Sequence, residues 1–276
     1  MMRDAGLSDE ALRAKARWVW RETLRLHRRA PETRVASSLS CVEILCALMY
    51  GGILRFDPRN PRWEGRDRLV ISKAHGSISF YPILADLGFV AVEELERIAR
   101  PGGVLKVIPD PLIAGYETLN GSVGLGLGVG VGLALGLRRR GARARVMVLC
   151  GDGELFAGAS WEAIMLAPRH GLGNLCIIVD RNGLCMLERC SKVADLAPLE
   201  EKLAAFGWRT ASVNGHDVCA VRDTLRALLD EREPRPKALL ADTVKGHGVP
   251  QLEGDELCHI RSLAPEVIDA LLREGE

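Results

Sequence analysis

Arg145-Val146-Met147-Val148-Leu149-Cys150 runs directly into Gly151-Asp152-Gly153-Glu154, and Leu175-Cys176-Ile177-Ile178-Val179 runs into Asp180-Arg181-Asn182-Gly183. Both apolar runs are continuous rather than alternating, as strands buried on both faces of a parallel sheet should be. Two parallel strands joined by one helix end side by side, and open α/β sheets bind ligands at those carboxyl ends. The pair predicts an α/β fold: a doubly wound, mostly parallel sheet with helices on both faces. It also puts Asp152 and Asn182 at neighbouring strand tips.

Strand and helix alternate along the rest of the chain. Ser8-Asp9-Glu10 opens a helix that runs to about Arg29, where Pro31 stops it. A second helix covers Cys41 to Tyr50 and ends at Gly51-Gly52. Leu69-Val70-Ile71 reads as a short buried strand whose end delivers Lys73 and His75. Phe80 to Leu87 and Val92 to Arg100 read as helices, and residues 101–120 as irregular surface chain. Beyond the second quoted run, Arg181 to Ala197 reads as loop, Pro198 to Phe206 as helix and Trp208 to Val213 as strand. Val218 to Asp230 reads as helix and Lys237 to Thr243 as strand. No repeat or domain boundary interrupts the pattern, so residues 1–276 are expected to form a single domain.

Gly121 to Leu137 carries glycine at 121, 124, 126, 128, 130, 132 and 136 among valines and leucines. Such density is costly in a helix, so close packing or approach to a ligand must offset it. A dinucleotide loop does not fit: no Gly-x-Gly-x-x-Gly register is present and no apolar strand leads into the segment.

Composition excludes several classes. With 37 basic and 36 acidic residues the net charge is +1, so no global field favours nucleic acid or a membrane surface. The basic stretch from Arg13 to Arg29 reads as a solvated helix face. Eight cysteines without a Cys-x-x-Cys pair, several inside apolar runs, fit reduced core residues of a cytoplasmic protein. The N-terminal residues lack an apolar h-region, and no window has the character of a membrane span.

An Asp carboxylate and an Asn amide oxygen at adjoining strand tips are hard donors suited to Mg²⁺ or Ca²⁺. Two such oxygens leave most of a six-coordinate shell to other ligands. Diphosphate oxygens suit those positions, with the backbone N–H of Gly153 and the following helix start taking further anionic charge. The plainer alternative stays open at this point, because Asp-Gly and Asn-Gly are also strong turn formers.

Gly-Asp-Gly followed after about thirty residues by Asn resembles the thiamine diphosphate signature, and longer words narrow the family. Arg66-Asp67-Arg68-Leu69-Val70-Ile71-Ser72-Lys73-Ala74-His75, Gly121-Ser122-Val123-Gly124, Trp161-Glu162-Ala163, Ala205-Phe206-Gly207-Trp208, Gly215-His216-Asp217 and Thr243-Val244-Lys245-Gly246-His247-Gly248 occur in the order seen in transketolases. The resemblance extends from about Glu43 to Pro265. It implies a metal held by Asp152, Asn182 and the carbonyl of Leu184, and a diphosphate contacted by His75 and Gly153. Further cofactor contacts are implied at Gly121, Val123, Gly151, Glu154, Lys245 and His259. His259 in Leu257-Cys258-His259 resembles the family's Trp-His-Gly histidine, so His259 and His75 are the candidate catalytic imidazoles. Lys245 and His247 read as positional, and Glu162 as structural.

The chain departs from sugar transketolases where those enzymes grip hydroxyls. Ser-Gly-His-Pro-Gly is replaced by Arg34-Val35-Ala36-Ser37-Ser38, a Gly-His-Pro histidine by Ile108, and Gly-Gln-Gly by Gly124-Leu125-Gly126. An acidic residue expected four after Gly153 is Ala157. Losing those donors disfavours a polyol substrate, because a site built for hydroxyls discriminates through those bonds. The chain also resembles only the diphosphate-binding part of a full transketolase. An N-terminal subunit is therefore expected, paired with a C-terminal transketolase-like subunit carrying the pyrimidine-binding domain, in a heterotetramer. The implied activity is transfer of a two-carbon ketol unit from a ketone donor to an aldehyde-type acceptor, in a specialised biosynthetic pathway. Two alternatives are one chain of a decarboxylating acyloin synthase and a non-catalytic partner subunit.

Overall fold

Both quoted runs are central strands. The computed structural model describes residues 6–118, 122–230 and 233–274. Its strands are β1 (Arg68–Ile71), β2 (Val146–Gly151), β3 (Leu175–Arg181), β4 (Leu184–Cys185), β5 (Glu188–Arg189), β6 (Arg209–Asn214) and β7 (Lys237–Asp242). The five longer ones form an all-parallel sheet in the order β1-β2-β3-β7-β6, and β4 pairs with β5 as a small antiparallel hairpin.

The helices are α1 (Asp9–Arg29), α2 (Val35–Leu39), α3 (Val42–Tyr50), α4 (Phe80–Asp86), α5 (Gly126–Arg139), α6 (Gly158–Arg169), α7 (Cys190–Val193), α8 (Leu199–Ala205), α9 (Val218–Asp230) and α10 (Pro265–Glu274). Ser8 caps α1 by accepting from the Ala11 N–H, and acidic residues in the first turn face basic ones in the last, so cap and macrodipole agree.

Alternate residues of each strand feed two cores. Met147, Leu149, Cys176, Ile178 and Leu239 pack under α1, α3, α4 and α9, whereas Val146, Val148, Ile177, Val179 and Leu240 pack under α5, α6 and α8. Full burial of each such branched side chain is worth about 1.5–3 kcal/mol, so the continuous apolar runs are what a two-sided sheet requires. The winding reverses once, where the chain passes from β6 at the sheet edge back to β7. A right-handed crossover in that direction puts α9 on the face opposite α6.

Part of the glycine helix is explained by packing. A Cβ on Gly126 would lie 2.4 Å from the Ser72 hydroxyl, and one on Gly130 would lie 2.3 Å from a Val148 methyl, so α5 sits directly on β1 and β2. Gly128, Gly132 and Gly136 face open space and have no such reason.

Some sequence-based expectations need correction. Val92 to Arg100 is not an α-helix but a 3₁₀ segment, Val92–Arg97, ended by Ala99 at φ 55°. The expected loop from Arg181 to Ala197 contains the β4–β5 hairpin and α7. The basic stretch is less purely solvated than expected: Lys15, Arg25, Arg28 and Arg29 make ion pairs with Asp86, Glu22, Asp269 and Glu96. No described helix is long and apolar enough to cross a membrane.

Candidate functional site

Pairing of β2 with β3 sets Gly151 opposite Asp180, so the turns that follow both strands leave the same sheet edge. Asp152 bridges them: one carboxylate oxygen accepts from the Gly153 N–H at 2.9 Å and the other from the Gly183 N–H at 2.7 Å. The Asn182 amide oxygen accepts from the Leu184 N–H at 3.1 Å. The hairpin then turns the Leu184 carbonyl toward the Lys245 ammonium, 3.5 Å away.

These groups line one cavity, together with Gly151, Gly153, Glu154, His75, Val123, Lys245 and His259. Every candidate site residue from the sequence is thus gathered there except Gly121, which lies outside the described residues. Gly153 has a steric reason as well. A Cβ there would come within 3.1 Å of Cys185, forcing the hairpin away from Asp152.

The donor set fits a hard divalent cation. A carboxylate, an amide oxygen and a peptide carbonyl are offered at one place, and the Asp152 oxygens keep lone pairs beyond the two N–H bonds they accept. Burial lifts the Asp152 carboxyl to about 6, opposed by the Gly183 N–H and reinforced by Asp180. A nearby divalent charge would reverse that logic and hold it ionised. The Gly153 N–H is engaged with Asp152 rather than directed at the cavity.

Two buried carboxylates, Glu154 in the cavity wall and Asp180 behind it, hold roles that the sequence did not single out. Glu154 accepts from the Ser72 hydroxyl, the Gly151 N–H at 3.1 Å and the Gly124 N–H at 3.3 Å. It ties the ends of β1 and β2 to the approach of α5, and burial raises its carboxyl. Asp180, wholly buried, pairs with the Lys73 ammonium and accepts from Ser40 at 2.6 Å and from Thr243. Burial opposes its ionisation, but Lys73 and the two hydroxyls prevail and hold it below the usual carboxylate range.

Two imidazoles also line the cavity. His75 and His259 meet edge to face with ring centroids 5.0 Å apart, and His259 Nδ1 lies 3.1 Å from the Ser37 hydroxyl. Burial depresses both imidazoles, His259 to about 3, and Lys245, Arg34 and Lys73 reinforce the effect. Both are therefore neutral at physiological pH. Burial and the Lys73 charge also lower the Lys245 ammonium.

A second cluster lies outside this cavity. Potential ligand atoms of Glu43, His216 and His247 lie within 4.8 Å of one another. His216 Nε2 accepts from the Val244 N–H at 2.8 Å, so its proton sits on Nδ1 and faces Glu43 at 3.2 Å. Both nitrogens are engaged, and the ring stacks on His247 at 3.6 Å, which makes this a structural brace rather than a cation site.

Comparison with known proteins bears on this geometry. A family model described as "Transketolase, thiamine diphosphate binding domain" matches residues 35–274. The 6-deoxy-6-sulfo-D-fructose transketolase subunit SqwG of Clostridium sp. is 36% identical over 88% of this chain and 88% of its own length. One of the apulose-4-phosphate transketolase subunits of Phocaeicola vulgatus is 33% identical over 89% of this chain and 87% of its own length. Among solved structures, transketolase from Campylobacter jejuni superposes with a TM-score of 0.90 at 27% identity, covering 97% of this chain. The chain spans 43% of that enzyme's length.

Proposed function

The chain belongs to the transketolase family, matching its thiamine diphosphate-binding domain, and from that premise we propose that it is the N-terminal subunit of a split, ketol-transferring enzyme. Relatives named as transketolase subunits, matched along most of their length, support this reading over a decarboxylating synthase. In it, residues 1–276 act as the diphosphate-binding domain, and a separate C-terminal subunit brings the pyrimidine-binding domain, two copies of each forming a heterotetramer. Eight unpaired cysteines suit the reducing cytoplasm.

Asp152, Asn182 and the Leu184 carbonyl would hold Mg²⁺ or Ca²⁺, with Lys245 and His75 on the diphosphate. Bound thiamine diphosphate supplies the carbanion chemistry and the electron sink; the protein supplies position and charge. His75 and His259, kept neutral by burial, would take up and return protons at their free ring nitrogens. Glu154 and Asp180 position the strand tips without contacting the reacting atoms. A polyol sugar fits poorly with the histidine words replaced at Arg34–Ser38 and Ile108, so a less hydroxylated substrate of a specialised pathway is favoured.

The observation that carries the reading is the 2.7 Å bond from Gly183 to Asp152, which brings the two halves of the signature together at one cavity. The test is co-purification with a C-terminal partner, followed by equilibrium dialysis of thiamine diphosphate with and without Mg²⁺. Asp152→Ala is expected to abolish Mg²⁺-dependent retention with an unchanged circular dichroism spectrum. Retention equal to wild type would refute the site.

A further inference from the structure

Arg34 is partly buried, yet among the described residues no side chain pairs with its guanidinium. Every other cation near the cavity has a partner or a role: Lys73 holds Asp180, and Lys245 faces the Leu184 carbonyl. Arg34 caps the start of α2, and that short helix is wedged between the two segments that carry the imidazoles. Three residues on, Ser37 bonds His259 at 3.1 Å; four residues on, Ser38 bonds both the Arg34 carbonyl at 3.4 Å and the His75 carbonyl at 2.9 Å. These bonds hold the start of α2, and with it Arg34, beside the two imidazoles.

Its electrostatic reach agrees with that position. Arg34 acts on both His75 and His259, whereas the groups acting most on Asp152 are Gly183, Asp180, Gly153 and Lys73. Beside burial, the permanent charges that act on the two imidazoles are Arg34, Lys245 and Lys73, all positive. A partly buried guanidinium without a counter-ion among the described residues, on the helix whose Ser37 lines the cavity, is the arrangement expected of an anion-recognising residue.

We propose that Arg34 is a specificity-determining residue that binds a carboxylate carried beside the reacting carbonyl of one substrate. The assignment rests on the ketol-transfer reading above and deepens it by naming a substrate class. Carboxylate is favoured among oxyanions because a planar guanidinium pairs with it through two parallel bonds, and because a short carbonyl compound can hold it next to the reacting carbon. It also accounts for the replaced Ser-Gly-His-Pro-Gly word: an imidazole suits a hydroxyl, and a permanent cation suits a charge.

The test uses the two-chain enzyme loaded with thiamine diphosphate and Mg²⁺, and compares charged and uncharged forms of the same reacting group. The donor arm sets 3-hydroxypyruvate against erythrulose; the acceptor arm sets glyoxylate against glycolaldehyde. In one arm, Arg34→Gln is expected to lower the charged-over-uncharged ratio of kcat/KM at least tenfold, chiefly through KM, and Arg34→Lys to recover part of it. Equal losses on both members of both pairs would overturn the proposal, as would loss of dialysed cofactor from Arg34→Gln, which would make Arg34 a cofactor ligand. A wild-type complex that retains cofactor but transfers no ketol unit counts against the ketol-transfer reading. Calorimetric titration with glyoxylate then decides for Arg34, with wild type binding at least tenfold tighter than Arg34→Gln if the proposal holds and equally if it fails.

Discussion

Replacing Lys73 with methionine tests the frame behind the site. The Lys73 side chain is 9% exposed and that of Asp180 is 0% exposed, so the substitution leaves a carboxylate in the interior without its cation. Breaking a buried pair in this way costs about 3–5 kcal/mol. Ser40 and Thr243 still donate to Asp180, which argues for the lower end, about 3 kcal/mol, a large fraction of a typical domain's stability. The pH dependence gives the sign. In wild type Asp180 is held below 3.8, so its contribution is fully present above that value and fades as pH falls through the depressed one. In Lys73→Met, burial is no longer outweighed and the carboxyl titrates above its unfolded value. The folded variant then binds a proton that the unfolded chain does not, and gains stability as pH falls. Urea unfolding followed by tryptophan fluorescence should therefore show the deficit near pH 7 shrinking toward pH 5, and Lys73→Met/Asp180→Asn should recover much of it. A deficit below about 1 kcal/mol, or one that ignores pH, would refute the buried-pair account.

Other outcomes follow from the same structure. His27 is fully buried as the neutral tautomer: Nδ1 bonds the Thr33 hydroxyl at 2.8 Å, and Nε2 accepts from the Leu263 N–H at 3.2 Å. Burial lowers it to about 4, so the unfolded chain binds a proton first and stability should drop between pH 6.5 and about 4, by at most about 3 kcal/mol. His27→Gln should flatten that slope in acid unfolding curves. On α5, Gly132→Ala should raise stability by about 0.5–1 kcal/mol, because its Cβ enters open space. Gly130→Ala should lower it by about 1–3 kcal/mol through the clash with Val148, and thermal melts giving the same sign for both would contradict the packing described.

Most of the architecture was legible because two-sided burial leaves a plain signature. Continuous runs marked β2 and β3, Ser8 and Pro31 bracketed α1, and Val218–Asp230 matched α9 at both ends. The β4–β5 hairpin was not legible: two-residue strands carry no periodicity, and Leu184 is placed by its N–H bond to the Asn182 side-chain oxygen. At the site, the spacing of Asp152 and Asn182 after two apolar runs was enough to place both at neighbouring strand tips. The Lys73–Asp180 pair, 107 positions apart, becomes visible only once β1 and β3 deliver their ends to one place. Arg34 could have been noticed as the one charged residue in Arg34-Val35-Ala36-Ser37-Ser38, but only the structure shows that its charge has no partner among the described residues.

The Lys245 contact has a consequence for how metal and cofactor would bind. An ammonium 3.5 Å from the Leu184 carbonyl occupies one side of the oxygen that a divalent cation would use. The loop bearing Lys245 cannot readily swing away: the Gly246 N–H bonds the Ala36 carbonyl at 3.0 Å, and the Trp20 indole donates to the His247 carbonyl at 2.8 Å. A cation arriving alone must push a like charge off that oxygen in a desolvated pocket. A diphosphate arriving with it gives the ammonium an anionic partner a short rotation away. Mg²⁺ and thiamine diphosphate should therefore bind with positive coupling, and reciprocity requires each to tighten the other by the same factor, about 5–150-fold for couplings of the usual size. Calorimetric titration of Mg²⁺ into the two-chain complex, with and without cofactor, measures one side of the cycle, and cofactor dialysis the other. Lys245→Met removes both the competition and the diphosphate partner, so Mg²⁺ alone should bind more tightly and the coupling should contract. Unchanged Mg²⁺ affinity in that variant would show that the ammonium does not guard the carbonyl.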